Sequence, residues 1–359
     1  MLSDIRNEIW FSLSIFTKNK QRMNLMKYIF PILLLMLLAC QNIPDWQTKP
    51  IAEWPPNEGQ YSLLVAKKGV TVFEKYYHQA DKNKLCNVQS LTKNIMSLLV
   101  GIAIDQERIN NENAPIHTYF PTIFANVKDE RKKQISIKDL LNQTAGLEWK
   151  GHTEHSTWLE NPTPNQYVLS KQLLTRPGKA YFYNSGATHL LSPILAKATG
   201  QSVLAFAQEN LFTPLGIKNV RWEVRKDGNH DGSGLGLWMQ ADDLLKIGQL
   251  MLNKGQWNGE QLVAEQWIEK SLNPDLKLQA SFGLPRSKHG YCWYSTERNE
   301  LEVHYGMGYG GQFIFLFPSE DLVIVTTHNH DTADGIPQQV QFSTQYLAGL
   351  MKNYLQAAL

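Results

Sequence analysis

Ile95, Leu98, Leu99, Ile102 and Ala103 recur at three- and four-residue spacing, with Met96 and Val100 between them. This pattern predicts a helix that is apolar on nearly every side and therefore buried. Ser90 stands at its N-cap position, after Cys86-Asn87-Val88-Gln89, an extended lead-in. Upstream, Tyr61–Lys67 and Val70–Tyr77 are β-rich runs joined around Lys68-Gly69, the pattern of a hairpin. From about residue 110 the pattern is mostly helical and punctuated by Gly and Pro. Amphipathic pieces cover Ile137–Gln143, Ala187–Thr199 and Ala241–Asn253, ending near Gly146, Gly200 and Gly255. Four strand-length runs follow, Gly290–Ser295, Leu301–Tyr305, Gln312–Phe317 and Leu322–Thr327, then an amphipathic helix at about Pro337–Leu355. Strands at both ends of a helical middle predict an α+β fold. N- and C-terminal segments share one antiparallel sheet flanked by helices, with a mostly helical lobe, about 110–275, inserted between them.

Composition adds little beyond a globular chain: 43% hydrophobic and 19% charged residues, with a formal charge of +2. So small a charge excludes nucleic acid as an expected partner. The first residues say more. A short basic stretch, Met23–Lys27, precedes an apolar run, Tyr28–Ala39, that is too short to span a bilayer comfortably and ends at Leu37-Leu38-Ala39-Cys40. The pattern resembles a bacterial lipoprotein signal, with cleavage before Cys40 and a diacylglycerol on its thiol. A non-cleaved anchor or an ordinary secretory signal is the alternative. Gln41, rather than Asp, follows the cysteine, which by the known sorting pattern favours the outer membrane, facing the periplasm, in a Gram-negative host. Residues 1–39 then form the signal, of which 1–22 read as an upstream start-site extension; 40–58 form the lipidated cysteine and tether, and 59–357 the folded domain. Cys86 and Cys292 remain, and nothing in the sequence brings them together to pair.

The candidate chemistry begins at Ser90-Leu91-Thr92-Lys93, the one S-x-x-K in the chain, which puts a hydroxyl and an amine one helical turn apart. An N-cap serine ordinarily satisfies an orphan N–H, and a capping box would then favour Glu or Gln at the third helical position. Here that position holds a lysine, at the positive end of the helix dipole, and the only acidic residue between Tyr77 and Asp105 is Asp81. Desolvation and the dipole both disfavour a protonated amine there, which suits a general base. Local physics alone leaves a capped structural helix and a nucleophile beside its own base both open.

The order of motifs that follows resembles the class C β-lactamase-like serine hydrolases, a family of DD-peptidases, esterases and 6-aminohexanoate-dimer hydrolases, over roughly Tyr61–Thr327. In that resemblance Pro177-Gly178 leads into Tyr183-Asn184-Ser185, with Tyr183 facing the nucleophile as a proton carrier and Ser185 where Asn is commoner. The third motif, where relatives carry Lys-Thr-Gly or His-x-Gly, lies in His304-Tyr305-Gly306-Met307-Gly308-Tyr309-Gly310-Gly311-Gln312. It aligns either on His304-Tyr305-Gly306 or on Gly306-Met307-Gly308. The second alignment, closer to the 6-aminohexanoate-dimer hydrolase branch, is preferred. It implies backbone N–H donors at Ser90 and Tyr309 for an oxyanion, and Ser185, His304, Gly308, Gly310, Gly311 and Gln312 as supporting or pocket residues. The missing strand lysine argues against efficient β-lactam hydrolysis. Gly234–Trp238, Asp243–Gly259 and Trp267 also resemble that branch and read as scaffold.

No G-x-S-x-G is present to supply a rival nucleophile. His152-Thr-Glu-His155 and His328-Asn-His330-Asp331 lack H-E-x-x-H spacing, so no metal and no cofactor is expected. The expected activity is a lipid-anchored, monomeric serine hydrolase acting on a small ester or amide or on a peptide. Alternatives are a cell-wall DD-peptidase or weak β-lactamase, and an inactive peptidoglycan- or envelope-binding lipoprotein. Labelled palmitate in a bacterial expression host should enter the full-length chain and be lost in Cys40→Ala; label that persists in the variant would refute lipidation there.

Overall fold

The computed structural model describes residues 58–273, 276–277, 284, 286–298 and 300–331, with Glu53 and Pro56. Cys40, the signal, most of the tether and the helix expected at 337–355 lie outside them.

Strand β1 (Gln60–Lys67) turns at Lys68 and Gly69, both at positive φ (52° and 73°), into β2 (Val70–Tyr76). Two left-handed residues are what a tight hairpin needs, and the right-handed twist of the strands selects them. The C-terminal strands are β8 (Leu276–Lys277), β9 (Lys288–Gly290), β10 (Trp293–Arg298), β11 (Leu301–Gly308), β12 (Gln312–Phe317) and β13 (Leu322–His328). They complete one eight-stranded sheet in the order β2-β1-β13-β12-β11-β10-β9-β8, antiparallel throughout. Val65 faces Ile324 across the β1–β13 pair, so the two ends of the domain are stitched together between the second and third strands of the sheet. Every residue of β12 and β13 is buried. Their near-continuous apolar runs are the mark of strands covered on both faces.

The helix expected after Ser90 is α1 (Leu91–Asp105), buried at every position from Leu91 to Ala103. Two later helices approach the core closely because glycine lets them. Gly101 of α1 faces the Trp267 ring, and a Cβ there would sit 2.5 Å from Trp267 Nε1, which donates to the Ser97 carbonyl at 3.0 Å. Gly248, in the helix Ala241–Leu252, faces Val323 and Ile314 of the sheet.

Three differences from the sequence expectations have local causes. The single helix expected over 187–199 is two, Ser185–His189 and Leu191–Thr199. Pro193, in the first turn of the second piece, has no N–H to bond back to the turn before it. The strand expected at 290–295 is two, β9 and β10, joined through Tyr291 and Cys292 at φ 47° and 68°. That costly turn is held from outside: Asn142 Oδ1 accepts the Tyr291 N–H at 2.9 Å, and the Leu141 carbonyl accepts that of Cys292 at 3.0 Å. The third difference is a small sheet of β3 (Cys86–Asn87), β4 (Arg221–Trp222) and β5 (Leu237–Met239), in the order β3-β5-β4, which ties the lead-in to Ser90 to the far end of the helical lobe; β6 (Gln256–Trp257) and β7 (Glu260–Gln261) pair separately. Strands of two or three residues carry no readable periodicity.

Replacing Gly101 by Ala should cost about 1–3 kcal/mol of stability, because the Trp267 ring is buried and hydrogen-bonded and has little room to yield. Urea unfolding read by tryptophan fluorescence would show it, and an unchanged midpoint would mean that the α1–Trp267 contact is looser than described.

Candidate active site

Two features of the chain aim the Ser90 hydroxyl. Gln89 has φ 51°, a left-handed conformation costing about 1 kcal/mol or more for a non-glycine residue. The Asn87 side chain supports it by accepting the Gln89 N–H at 3.0 Å, and Thr92 Oγ1 by donating to the Gln89 carbonyl at 2.7 Å. Ser90 itself is already helical (φ −64°, ψ −9°), and its side chain caps no backbone N–H. Instead Ser90 Oγ lies 2.6 Å from the Tyr183 hydroxyl and accepts from Lys93 Nζ at 3.1 Å. Nζ also sits 4.9 Å from the centre of the Tyr183 ring. The capped-helix alternative does not describe this geometry: hydroxyl, amine and phenol meet at one point.

Lys93 is 3% exposed. Its second acceptor is the Ser233 carbonyl, and among the described residues no carboxylate lies within ion-pair distance of it. Its electrostatic neighbours are held neutral. Burial drives His289 down to about 3, with the Lys93 charge adding to the effect. Burial pushes the Cys292 thiol up to about 12 against a smaller opposing pull from Lys93. Cys86 and Cys292 are both free thiols.

The turn after β11 closes the other side. A Cβ on Gly308 would overlap the Val88 carbonyl oxygen and lie 3.1 Å from Gln89 Cβ, so Gly308 sets β11 against the residues that lead into Ser90. Gly306 meets α1 farther along, where a Cβ would come 2.7 Å from Leu91 Cδ2 and 2.9 Å from Asn94 Oδ1. Tyr309 therefore follows the β11 glycine that packs against the lead-in to Ser90. Gly310 and Gly311 take φ 82° and 101° through the turn, and the Gly311 carbonyl accepts from Thr326 Oγ1 at 2.9 Å. Gln312, fully buried, fastens the turn to β13: its Nε2 donates to the carbonyls of Tyr309 (3.3 Å) and His328 (3.0 Å), and its Oε1 accepts the His328 N–H (2.9 Å). These bonds engage both its amide nitrogen and its amide oxygen in holding the turn. The Ser90 N–H meets no acceptor among the described residues.

Ser185 is buried at the start of its helix, two residues beyond Tyr183, and its hydroxyl bonds to no described residue. His304 shares a strand face with Gly306 and Gly308 but is engaged elsewhere. Its Nδ1 bonds Ser295 Oγ at 2.6 Å and its Nε2 lies 3.4 Å from Glu302, so the structure does not bring it to the pocket. Among the described residues no cluster of His, Cys, Asp or Glu is arranged to hold a metal. The sequence offers no role for Ser233 and reads Gly234 as scaffold only. Gly234, at φ 104°, approaches so closely that a Cβ would lie 2.8 Å from Ser90 Cα and 2.9 Å from Lys93 Nζ. The available signal is the glycine-dense run Asp231-Gly-Ser-Gly-Leu-Gly236, of which only Gly234–Gly236 fall in the segment that reads as scaffold.

Residues 60–339 match the family model described as Beta-lactamase. The chain belongs to the beta-lactamase family. Its relatives include the 6-aminohexanoate-dimer hydrolase of Paenarthrobacter ureafaciens, 25% identical over 301 residues and 75% of each chain. A D-alanyl-D-alanine-carboxypeptidase/endopeptidase of Escherichia coli is 27% identical over 178 residues, 46% of each chain. In fold, this beta-lactamase-family chain superposes on a class C beta lactamase from Rhodobacter sphaeroides with a TM-score of 0.59 at 15% identity, covering 83% of this chain and 95% of that one. The α+β sheet architecture and the hydrolase family expected from the sequence are thus both present.

Gly308→Ala should lower the rate of Ser90 acylation by about 10²-fold, since the added methyl must push the turn off Val88 and a displacement near 1 Å suffices for such a loss. Stopped-flow measurement with an activated ester would detect it, and a wild-type rate would mean that the turn takes no part.

Proposed function

We propose that this protein is a serine hydrolase that cleaves a small ester or amide through an acyl-enzyme on Ser90. The observation that carries the reading is the convergence of Lys93 Nζ and the Tyr183 hydroxyl on one oxygen, at 3.1 and 2.6 Å. Lys93, with Tyr183, takes the Ser90 proton as Oγ attacks the carbonyl carbon. The C=O electron pair moves to oxygen, and the oxyanion rests on the backbone N–H groups of Ser90 and Tyr309. Collapse expels the alcohol or amine, which Tyr183 protonates. Water, deprotonated by the same pair, then attacks the acyl-enzyme and returns Ser90 as the hydroxyl.

Gly306 supports an ester or amide over a β-lactam. A lysine side chain there would have to enter space already filled by Leu91 and Asn94, so the strand offers no cation to a substrate carboxylate at that position. The 6-aminohexanoate-dimer hydrolase among the relatives points the same way. The D-alanyl-D-alanine-carboxypeptidase/endopeptidase relative favours cell-wall peptide as the second reading. We also propose that a lipid on Cys40, outside the described residues, tethers the domain to the envelope.

Turnover of a panel of esters, amides and β-lactams should be greatest with short-chain esters or amides and absent in Ser90→Ala. Lys93→Met should fold normally and lose about 10²–10⁴-fold in acylation. Turnover that survives Ser90→Ala would reject the nucleophile, and a near-normal rate in Lys93→Met would place the base elsewhere.

A further inference from the structure

The loop from Asp231 to Gly236 touches both Ser90 and Lys93, and one carboxylate shapes it. Asp231 is completely buried. Its Oδ1 accepts from the Ser233 hydroxyl at 2.5 Å, the Ser233 N–H at 3.2 Å and Arg225 Nε at 3.0 Å. Its Oδ2 accepts the N–H groups of Gly234, Leu235 and Gly236 at 2.9, 2.7 and 3.0 Å. Four consecutive backbone N–H groups thus curl around one anion, a nest whose centre is supplied by the chain itself. Burial alone would raise this carboxyl, but the Arg225 charge and the converging donors hold it well below the ordinary carboxylate range.

The rest of the loop is anchored independently. Trp222 Nε1 donates to the Asp231 carbonyl at 2.7 Å, the Gly232 N–H donates to His189 Nδ1 at 3.2 Å, and the Glu223 N–H donates to the Gly236 carbonyl at 2.7 Å. With its N–H groups drawn to Asp231, the loop presents the Ser233 carbonyl to Lys93 Nζ and lays Gly234 against Ser90. No other described acceptor but Ser90 Oγ holds that amine.

On the reading that Lys93 is the base, we propose that Asp231 is its positioning residue: by gathering the loop's N–H groups it fixes the Ser233 carbonyl that aims Nζ at Ser90 Oγ. An asparagine of the same shape keeps one acceptor oxygen but turns an NH₂ toward donors, so part of the nest must open. A small displacement of Nζ then costs rate rather than affinity.

The test is a cycle of wild type, Asp231→Asn, Lys93→Met and the double variant, using the full chain and a short-chain activated ester, with thermal unfolding measured alongside. Asp231→Asn should lower kcat by about 10²-fold with KM nearly unchanged, and should cost nothing further once Lys93 is gone. A wild-type kcat in Asp231→Asn, or the same factor lost with and without Lys93, would overturn the positioning role. If Asp231→Asn does not fold, Ser233→Ala replaces it in the cycle. Loss of that one donor should cost about tenfold, again only when Lys93 is present, and equal losses in both backgrounds would overturn the proposal. Undiminished turnover in Lys93→Met alone would remove the base, a result distinct from equal losses in both backgrounds.

Discussion

Burying the Lys93 amine is costly unless its hydrogens find acceptors, and a carboxylate would be the ordinary solution. This fold offers neutral oxygens instead, Ser90 Oγ and the Ser233 carbonyl, and surrounds them with groups that burial keeps uncharged, among them His289 and Cys292. For the proposed role of Lys93 as base, an acid placed beside it would be a hindrance, because the two would form a tight ion pair. Much of the surrounding architecture serves this arrangement. The strained Gln89 turns Ser90 out of its capping role, Gly308 lets β11 close on the lead-in, and Gly234 brings the Ser233 carbonyl within reach.

The negative charge that the pocket lacks is present one layer out. Asp231 carries it, shared among six donors and outside ion-pair distance of the amine. Gln312 does comparable work on the opposite wall with an uncharged amide, fastening the Tyr309 turn to β13. Neither residue touches Ser90, yet each fixes a backbone segment that does or that lies beside it. Reactive side chains held by supported backbone give the precision that acyl transfer requires.

What the sequence made legible was what has period or fixed spacing. The apolar repeat from Ile95 to Ala103 gave a buried helix, the alternating and apolar runs gave the long strands, and Ser90, Lys93 and Tyr183 stood in an order that their geometry reproduces. Two-residue strands such as β3 and β4 were invisible because pattern needs length. Asp231 and Ser233 were invisible for another reason. Their effect comes through backbone carbonyls and N–H groups, which any residue can supply, and glycines near Ser90 are needed for closeness that appears only once β11 and the 231–236 loop meet α1. His304 illustrates the converse: the strand register predicted its face correctly, but its neighbours Ser295 and Glu302 claim both ring nitrogens.

The proposed function turns on one covalent bond, between Ser90 Oγ and the acyl carbon of a substrate. The direct measurement is mass spectrometry of the protein after brief reaction with a short-chain activated ester and an acid quench. A single acyl mass should appear on the peptide containing Ser90 and should decay as product forms. Turnover without such an adduct, or an acyl group carried on a different residue, would contradict the account.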